Sequence, residues 1–237
     1  MEEPVDYDGV TFAADTDYAA LARRALLWEL GGSLPYDDDA LDWVYRALRA
    51  LAGTSHATKL IAAITAAVTD EARMVRVRAL SFIESYPRSW GAEYVVDVAA
   101  GDRKGFTGVP GWAESGDDLE GLLLRAVASR INIGDERAIA LAKKEALNPG
   151  QPQPLMAALT SADPQWVIDH AQEIARRTPT TGVTMLHNLE QAGYDIAGLG
   201  VRIARDMASD PDFRDRLDRF VDNVEAKRRI LNAIGLP

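Results

Sequence analysis

Two short spacings carry the ligating side chains of this sequence, His170-x-x-Glu173 and His187-x-x-Glu190. At positions i and i+3 an imidazole and a carboxylate share one face of a helix. Two such helices side by side would offer a metal two imidazoles and two carboxylates. Di-iron carboxylate bundles use the reverse order, Glu-x-x-His, and add two further glutamates on long helices. Those features are missing here, and His170, beside Trp166 and Ile174, reads as a packed histidine. The expectation is therefore no metal and no cofactor. A metal-handling alternative stands only if His170, Glu173, His187 and Glu190 converge.

Other catalytic chemistry lacks its residues. Acyl transfer needs a nucleophile with a base and an orienting acid. There is no Gly-x-Ser-x-Gly elbow, and His56 is placed to sit in the first turn of a helix. With no cysteine there is no thiolate nucleophile, thiolate metal site or disulfide framework. The run Asp102-Arg103-Lys104-Gly105-Phe106-Thr107-Gly108 is basic and glycine-rich, but it has neither the order nor the preceding strand of a phosphate-binding loop. No catalytic residue is expected.

Charge is more informative than motif. The chain of 237 residues has a formal net charge of -10. Residues 1–42 hold eleven acids against two bases, a net of -9, which leaves about -1 for the other 195. Such an end repels phosphate backbones, so nucleic acid is not an expected partner, and it attracts basic proteins. Asp37, Asp38 and Asp39 are its densest run and the expected contact for a basic partner. They also suit the first turn of a helix, where the dipole favours acids. The segment 101–116 is a long loop with five glycines, Pro110, Arg103, Lys104, Phe106 and Trp112. Loops of this length are often functional, and Trp and Arg are favoured at interface hot spots. Arg103, Phe106 and Trp112 are accordingly expected to contact a protein partner, the alternative being that Phe106 and Trp112 fold back over the core. The five tryptophans otherwise read as core residues.

The elements that must position these residues are helices. Alanine and leucine dominate, and the breaks carry helix start and stop chemistry. The spacing predicts helices over about 16–30, 37–52, 54–68, 70–86 and 89–99, with Asp15 or Thr16, Thr54 or Ser55, and Asp70 at N-termini. After the loop, Asp117 and Asp135 open helices reaching about Ile131 and Leu147. A proline-rich break at about 148–154 follows, then shorter helices from Leu155, Pro164, Pro179, Ile196 and Pro211 and a last one near Ile234. Asp163-Pro164 and Asp210-Pro211 each read as an N-cap followed by proline at the first helical position. Lys227-Arg228-Arg229 suits a last helix and is too small for a DNA-binding surface. Only Thr11-Phe12 and Tyr94-Val95-Val96 look like strands.

One stretch has a family pattern. Ile61-Ala62-Ala63-Ile64-Thr65-Ala66-Ala67-Val68-Thr69-Asp70-Glu71-Ala72-Arg73-Met74-Val75-Arg76-Val77-Arg78-Ala79-Leu80 resembles a HEAT repeat: an apolar helix, an Asp-led turn, then Val75-Arg76 and Ala79-Leu80 on the second helix. Asp70 would cap that helix, and Val75, Ala79 and Leu80 would bury against its partner. Weaker echoes run from Leu159 to Pro164, leading into Val167 and Ala171, and from Met207 to Pro211, leading into Leu217. The aspartates lie 93 and 47 residues apart, which fits multiples of a repeat of roughly 40 to 47. The resemblance implies an α-α superhelix of antiparallel pairs that binds partners along a concave face. A minority of such proteins are enzymes, including DNA glycosylases and bilin lyases, and the acidic charge argues against the first.

The expectation is thus an all-α protein, a short HEAT-like solenoid forming one domain over 1–237. Its function would be non-enzymatic binding of a protein, in its most concrete form an immunity-type inhibitor of a basic partner. The alternatives are a HEAT-like enzyme or metal-handling protein built on the His170 and His187 helices, and a self-associating scaffold subunit. The start Met1-Glu2-Glu3-Pro4 lacks the character of a signal peptide, and no apolar run approaches the roughly 18 residues of a membrane helix, so a cytoplasmic protein without a membrane partner is expected.

Overall fold

A computed structural model describes residues 3–30, 40–111, 118–148, 153–177, 179–207 and 213–235. The chain is all-α, with thirteen α-helices and one two-stranded sheet among the described residues. It divides into two compact units, residues 1–130 and 131–237.

The first unit opens with a hairpin, β1 (Val5–Tyr7) antiparallel to β2 (Val10–Phe12), with Val5 opposite Phe12 and Tyr7 opposite Val10. Asp8 and Gly9 form its two-residue turn with φ of 49° and 77°, the conformation that favours Asp-Gly in tight hairpins. Phe12 is fully buried, and Asp8 accepts a hydrogen bond from the Trp43 indole at 3.0 Å. Five helices and the start of a sixth follow: α1 (Tyr18–Leu26), α2 (Ala40–Ala50), α3 (Ser55–Ala66), α4 (Arg73–Ser85), α5 (Tyr94–Ala100) and α6 (Leu119–Asn132). Each of α1, α2 and α3 packs against the helix two places on.

Three boundaries differ from those the spacing predicts. Helix α1 begins after Asp17, whose carboxylate accepts from the Ala20 amide at 3.0 Å, and stops at Leu26 rather than Leu30. It stops early because Trp28 takes the left-handed conformation, φ 66°, while Trp28 and Glu29 amides close back on the Ala25 and Arg24 carbonyls. Helix α4 begins after Ala72, not Asp70. A 3-10 turn over Ala67–Thr69 intervenes, and Asp70 instead accepts from the Ala72 amide at 2.7 Å and pairs with Arg23 at 3.3 Å. Helix α5 begins at Tyr94 rather than near Ser89, and the strand-like run Tyr94-Val95-Val96 lies within it: Val95, Val96 and Ala99 make one buried stripe. The paired-helix packing of α3 and α4 matches expectation, with Val75, Ala79 and Leu80 fully buried.

The second unit contains α7 (Glu136–Ala146), α8 (Gln153–Ala162), α9 (Pro164–Arg177), α10 (Pro179–Gln191), α11 (Ala197–Met207), α12 (Phe213–Phe220) and α13 (Val224–Ala233). Asp135, Asp163 and Asn223 cap α7, α9 and α13 by accepting amide hydrogen bonds at 3.0, 3.1 and 2.9 Å. Each such cap contributes about 1 kcal/mol. Residues 149–152, in the proline-rich break, and Asp210-Pro211 lie outside the described residues. Packing is regular: α8 meets α10, α9 meets α11, α10 meets α12 and α11 meets α13. Glycines permit the closest approaches. A Cβ on Gly182 would lie 2.7 Å from Ala175 Cβ, and one on Gly200 would lie 2.2 Å from Ile230 Cδ1. No described helix is long and apolar enough to cross a membrane.

Candidate interaction surface

The three histidines have separate surroundings. His56 is fully buried in the first turn of α3. The Glu3 carbonyl can only accept, so Nε2 donates to it across 3.3 Å, and Nδ1 then accepts from the Tyr18 hydroxyl at 2.5 Å. His56 thereby ties the segment before β1 and helix α1 to α3. His170 donates from Nδ1 to the Trp166 carbonyl at 2.8 Å and stacks on the Trp166 ring at 4.1 Å. Lys143 stands over the other part of that aromatic pair, 5.6 Å from the Trp166 ring centroid. Glu173 pairs with Arg177 at 2.7 Å. His170 and Glu173 are thus engaged within α9. His187 and Glu190 form a different cluster, joined by Asp222. The four residues of the two spacings do not form one ligand set among the described residues.

The 101–111 part of the long loop is bound down along its length. Arg76 donates to the Gly105 carbonyl at 2.6 Å, and Arg73 donates to the Pro110 and Gly111 carbonyls at 3.0 and 2.6 Å. Thr107 donates to Glu120 at 2.7 Å, and the Leu119 amide donates to the Val109 carbonyl at 2.7 Å. Phe106 is only 5% exposed, with the Arg76 guanidinium 5.5 Å from its ring centroid. In this position Phe106 anchors the loop on α4 and presents no ring to a partner. Arg103 pairs with Glu120 at 3.5 Å, its side chain mostly covered. Arg73 and Arg76 therefore hold the loop. Arg78, the next along, donates to the Leu26 carbonyl, and burial draws its guanidinium below the usual arginine range. Trp112, Asp37, Asp38 and Asp39 lie outside the described residues.

Exposed aromatic surface is concentrated elsewhere, at the end of α4 and the start of α5. Tyr86, Trp90 and Tyr94 are 46%, 62% and 41% exposed, and Trp90 is the most exposed large aromatic among the described residues. The segment is held firmly. Tyr86 stacks on Phe82 and lies tilted against Tyr45, with ring centroids 5.4 and 4.5 Å away. Arg130 donates to the Pro87 carbonyl. Gly91, at φ 84°, sits so close to α3 that a Cβ there would lie 2.8 Å from Thr65 Oγ1. The residues Ser85 to Ser89 border a depression of about 480 Å³. The sequence pattern places Trp90 in the core and Tyr94 within a helix over about 89–99, with Tyr94-Val95-Val96 as a strand-like run. The available signal was Tyr86-Pro87-Arg88-Ser89-Trp90-Gly91, aromatics placed at a helix stop rather than within an apolar stripe.

The described fold is an all-α protein of short helices with three exposed aromatic residues between the end of α4 and the start of α5. Comparison with known proteins gives no matching family model, no similar curated protein and no similar solved structure.

Proposed function

We propose that the chain is a non-enzymatic protein-binding module, cytoplasmic, built on HEAT-like helix pairs and directed at a basic protein. The observation that carries this reading is the exposed aromatic face of Tyr86, Trp90 and Tyr94. Monomeric proteins rarely leave such residues grouped in solvent, and Trp and Tyr are the residues most often found at interface hot spots. The charge of the partner follows from connectivity. The acidic segment 1–42 ends in the first turn of α2, where Asp42 stands three residues before Tyr45, whose ring packs against Tyr86. Acidic charge therefore lies close in sequence to a residue that packs on the aromatic segment, which favours a basic partner. The alternating contacts of α8 with α10 and α9 with α11 support the superhelical reading, because stacked helix pairs place every second helix side by side. An inhibitor of the immunity type remains its most concrete form.

The test is capture from lysate of the source cell with three baits: the native chain, Trp90→Ala, and the triple change of Asp37, Asp38 and Asp39 to Asn. The proposal requires one stoichiometric basic protein on the native bait, lost on Trp90→Ala and bound with a weaker salt dependence by the triple variant. Equal capture by all three baits would refute the assigned face. Recovery of the chain's own second copy, confirmed by light scattering, would replace this reading with a self-associating scaffold.

A further inference from the structure

His187 differs from the other two histidines in having no hydrogen-bond or ion-pair partner among the described residues, and its Nδ1 is buried in that unsatisfied state. An orphaned buried nitrogen costs free energy unless something binds it. The His187 side chain stands with Glu190, one turn on along α10, and with Asp222, in the turn between α12 and α13. One ligating atom from each of the three lies within 4.8 Å of the others. We propose that these three side chains bind a divalent transition-metal ion of the zinc class, with a fourth position left to water or another small ligand.

Several features point to a cation between them rather than direct contact. The imidazole makes no ion pair with either carboxylate, so the space separating them is not closed by a hydrogen bond. Two ligands on a tetrahedral zinc, each about 2.1 Å from the metal, stand about 3.4 Å apart, a small inward movement from the observed spacing. Asp222 is exposed. The carboxylates are already oriented from behind. Glu190 accepts from the amides of Asp222 and Asn223 at 2.9 and 2.8 Å, and Asp222 accepts from the Gln191 side chain at 3.1 Å. Each oxygen retains a further lone pair, and such outer hydrogen bonds are what hold metal ligands in register. An imidazole with two carboxylates suits zinc or its first-row neighbours, whereas calcium and magnesium prefer oxygen alone. The ion would join the last turn of α10 to the turn that opens α13.

The experiment uses the whole chain, stripped with a chelator and titrated with zinc against a chromogenic competitor. One equivalent is expected to bind saturably. His187→Gln and Asp222→Asn should each weaken it at least tenfold, while His170→Gln leaves it unchanged. Cobalt substitution should give a visible band of the intensity typical of four-coordinate sites, and zinc should raise the thermal midpoint of the native chain but not of Asp222→Asn. Asp222 is exposed, so that variant tests the site even if His187→Gln folds poorly. No saturable binding, or binding indifferent to both substitutions, overturns the proposal and leaves Glu190 as a cap for the turn before α13.

Discussion

Substituting Gly200 by alanine tests the packing of α11 on α13, the contact that extends the alternating pattern to the end of the chain. In an unconstrained helix interior the change is favourable by about 1 kcal/mol, because glycine gives up more backbone freedom. Here the new Cβ would stand 2.2 Å from Ile230 Cδ1 and 2.6 Å from Ile230 Cγ1. Carbon atoms settle at about 3.5–4.0 Å, so Ile230 or the helix must move by more than 1 Å. Ile230 is fully buried and has little room. Overpacking of this kind costs about 1–3 kcal/mol. The two effects sum to a net loss of about 1 kcal/mol, with a range from near zero to about 2. In an Ile230→Ala background both clashing atoms are gone, and the sign should reverse to a gain of up to about 1 kcal/mol. Urea unfolding of the four proteins in this cycle gives the coupling directly, expected at about 1–3 kcal/mol. Equal effects of Gly200→Ala in both backgrounds would show that α11 and α13 do not approach at this point.

Four further outcomes follow from the contacts. The Lys143 side chain, then the Trp166 amide, hold the Asp163 carboxyl below the usual carboxylate range. Its folded pKa lies below its unfolded one, so its stabilisation is present above the unfolded value, near 4, and is lost as pH falls through the folded value. The stability gap between the native chain and Asp163→Asn, read by urea unfolding, should be constant from about pH 6 to 8 and close below about pH 4. His56→Phe keeps an aromatic ring but removes the hydrogen bonds to the Tyr18 hydroxyl and the Glu3 carbonyl, and should cost about 1 kcal/mol in the same assay. Arg73→Ala removes two donors from the 101–111 loop, and hydrogen exchange should quicken at Leu119, whose amide closes on Val109, while α3 is unaffected. Trp90→Ala, with the ring mostly in solvent, should change stability by less than about 0.5 kcal/mol, so its loss of partner binding can be read without a folding defect.

The 101–111 part of the long loop is less adaptable than its sequence suggests. Its glycines and its Phe106 look like an adaptable binding element in sequence. Two arginines from α4 convert it into a fixed flap by occupying its carbonyls, and Phe106 turns inward beneath one of them.

Helical content, most helix positions and the caps Thr54, Asp135 and Asp163 were legible from local rules, because caps, periodicity and proline act within a few residues of chain. The buried face of α4 was legible for the same reason: Val75, Ala79 and Leu80 fall on one stripe. Local rules failed where distant segments compete for the same group. Asp70 has the spacing of a cap, yet Arg23 and the Ala72 amide take its carboxylate. Trp28 ends α1 from a position normally given to glycine, and nothing in its neighbours announces that. The exposed aromatics and the grouping of Asp222 with His187 depend on which surfaces are already covered and on chain segments more than 30 residues apart. Covalent spacing carries no information about either, so only the packed tertiary structure could decide them.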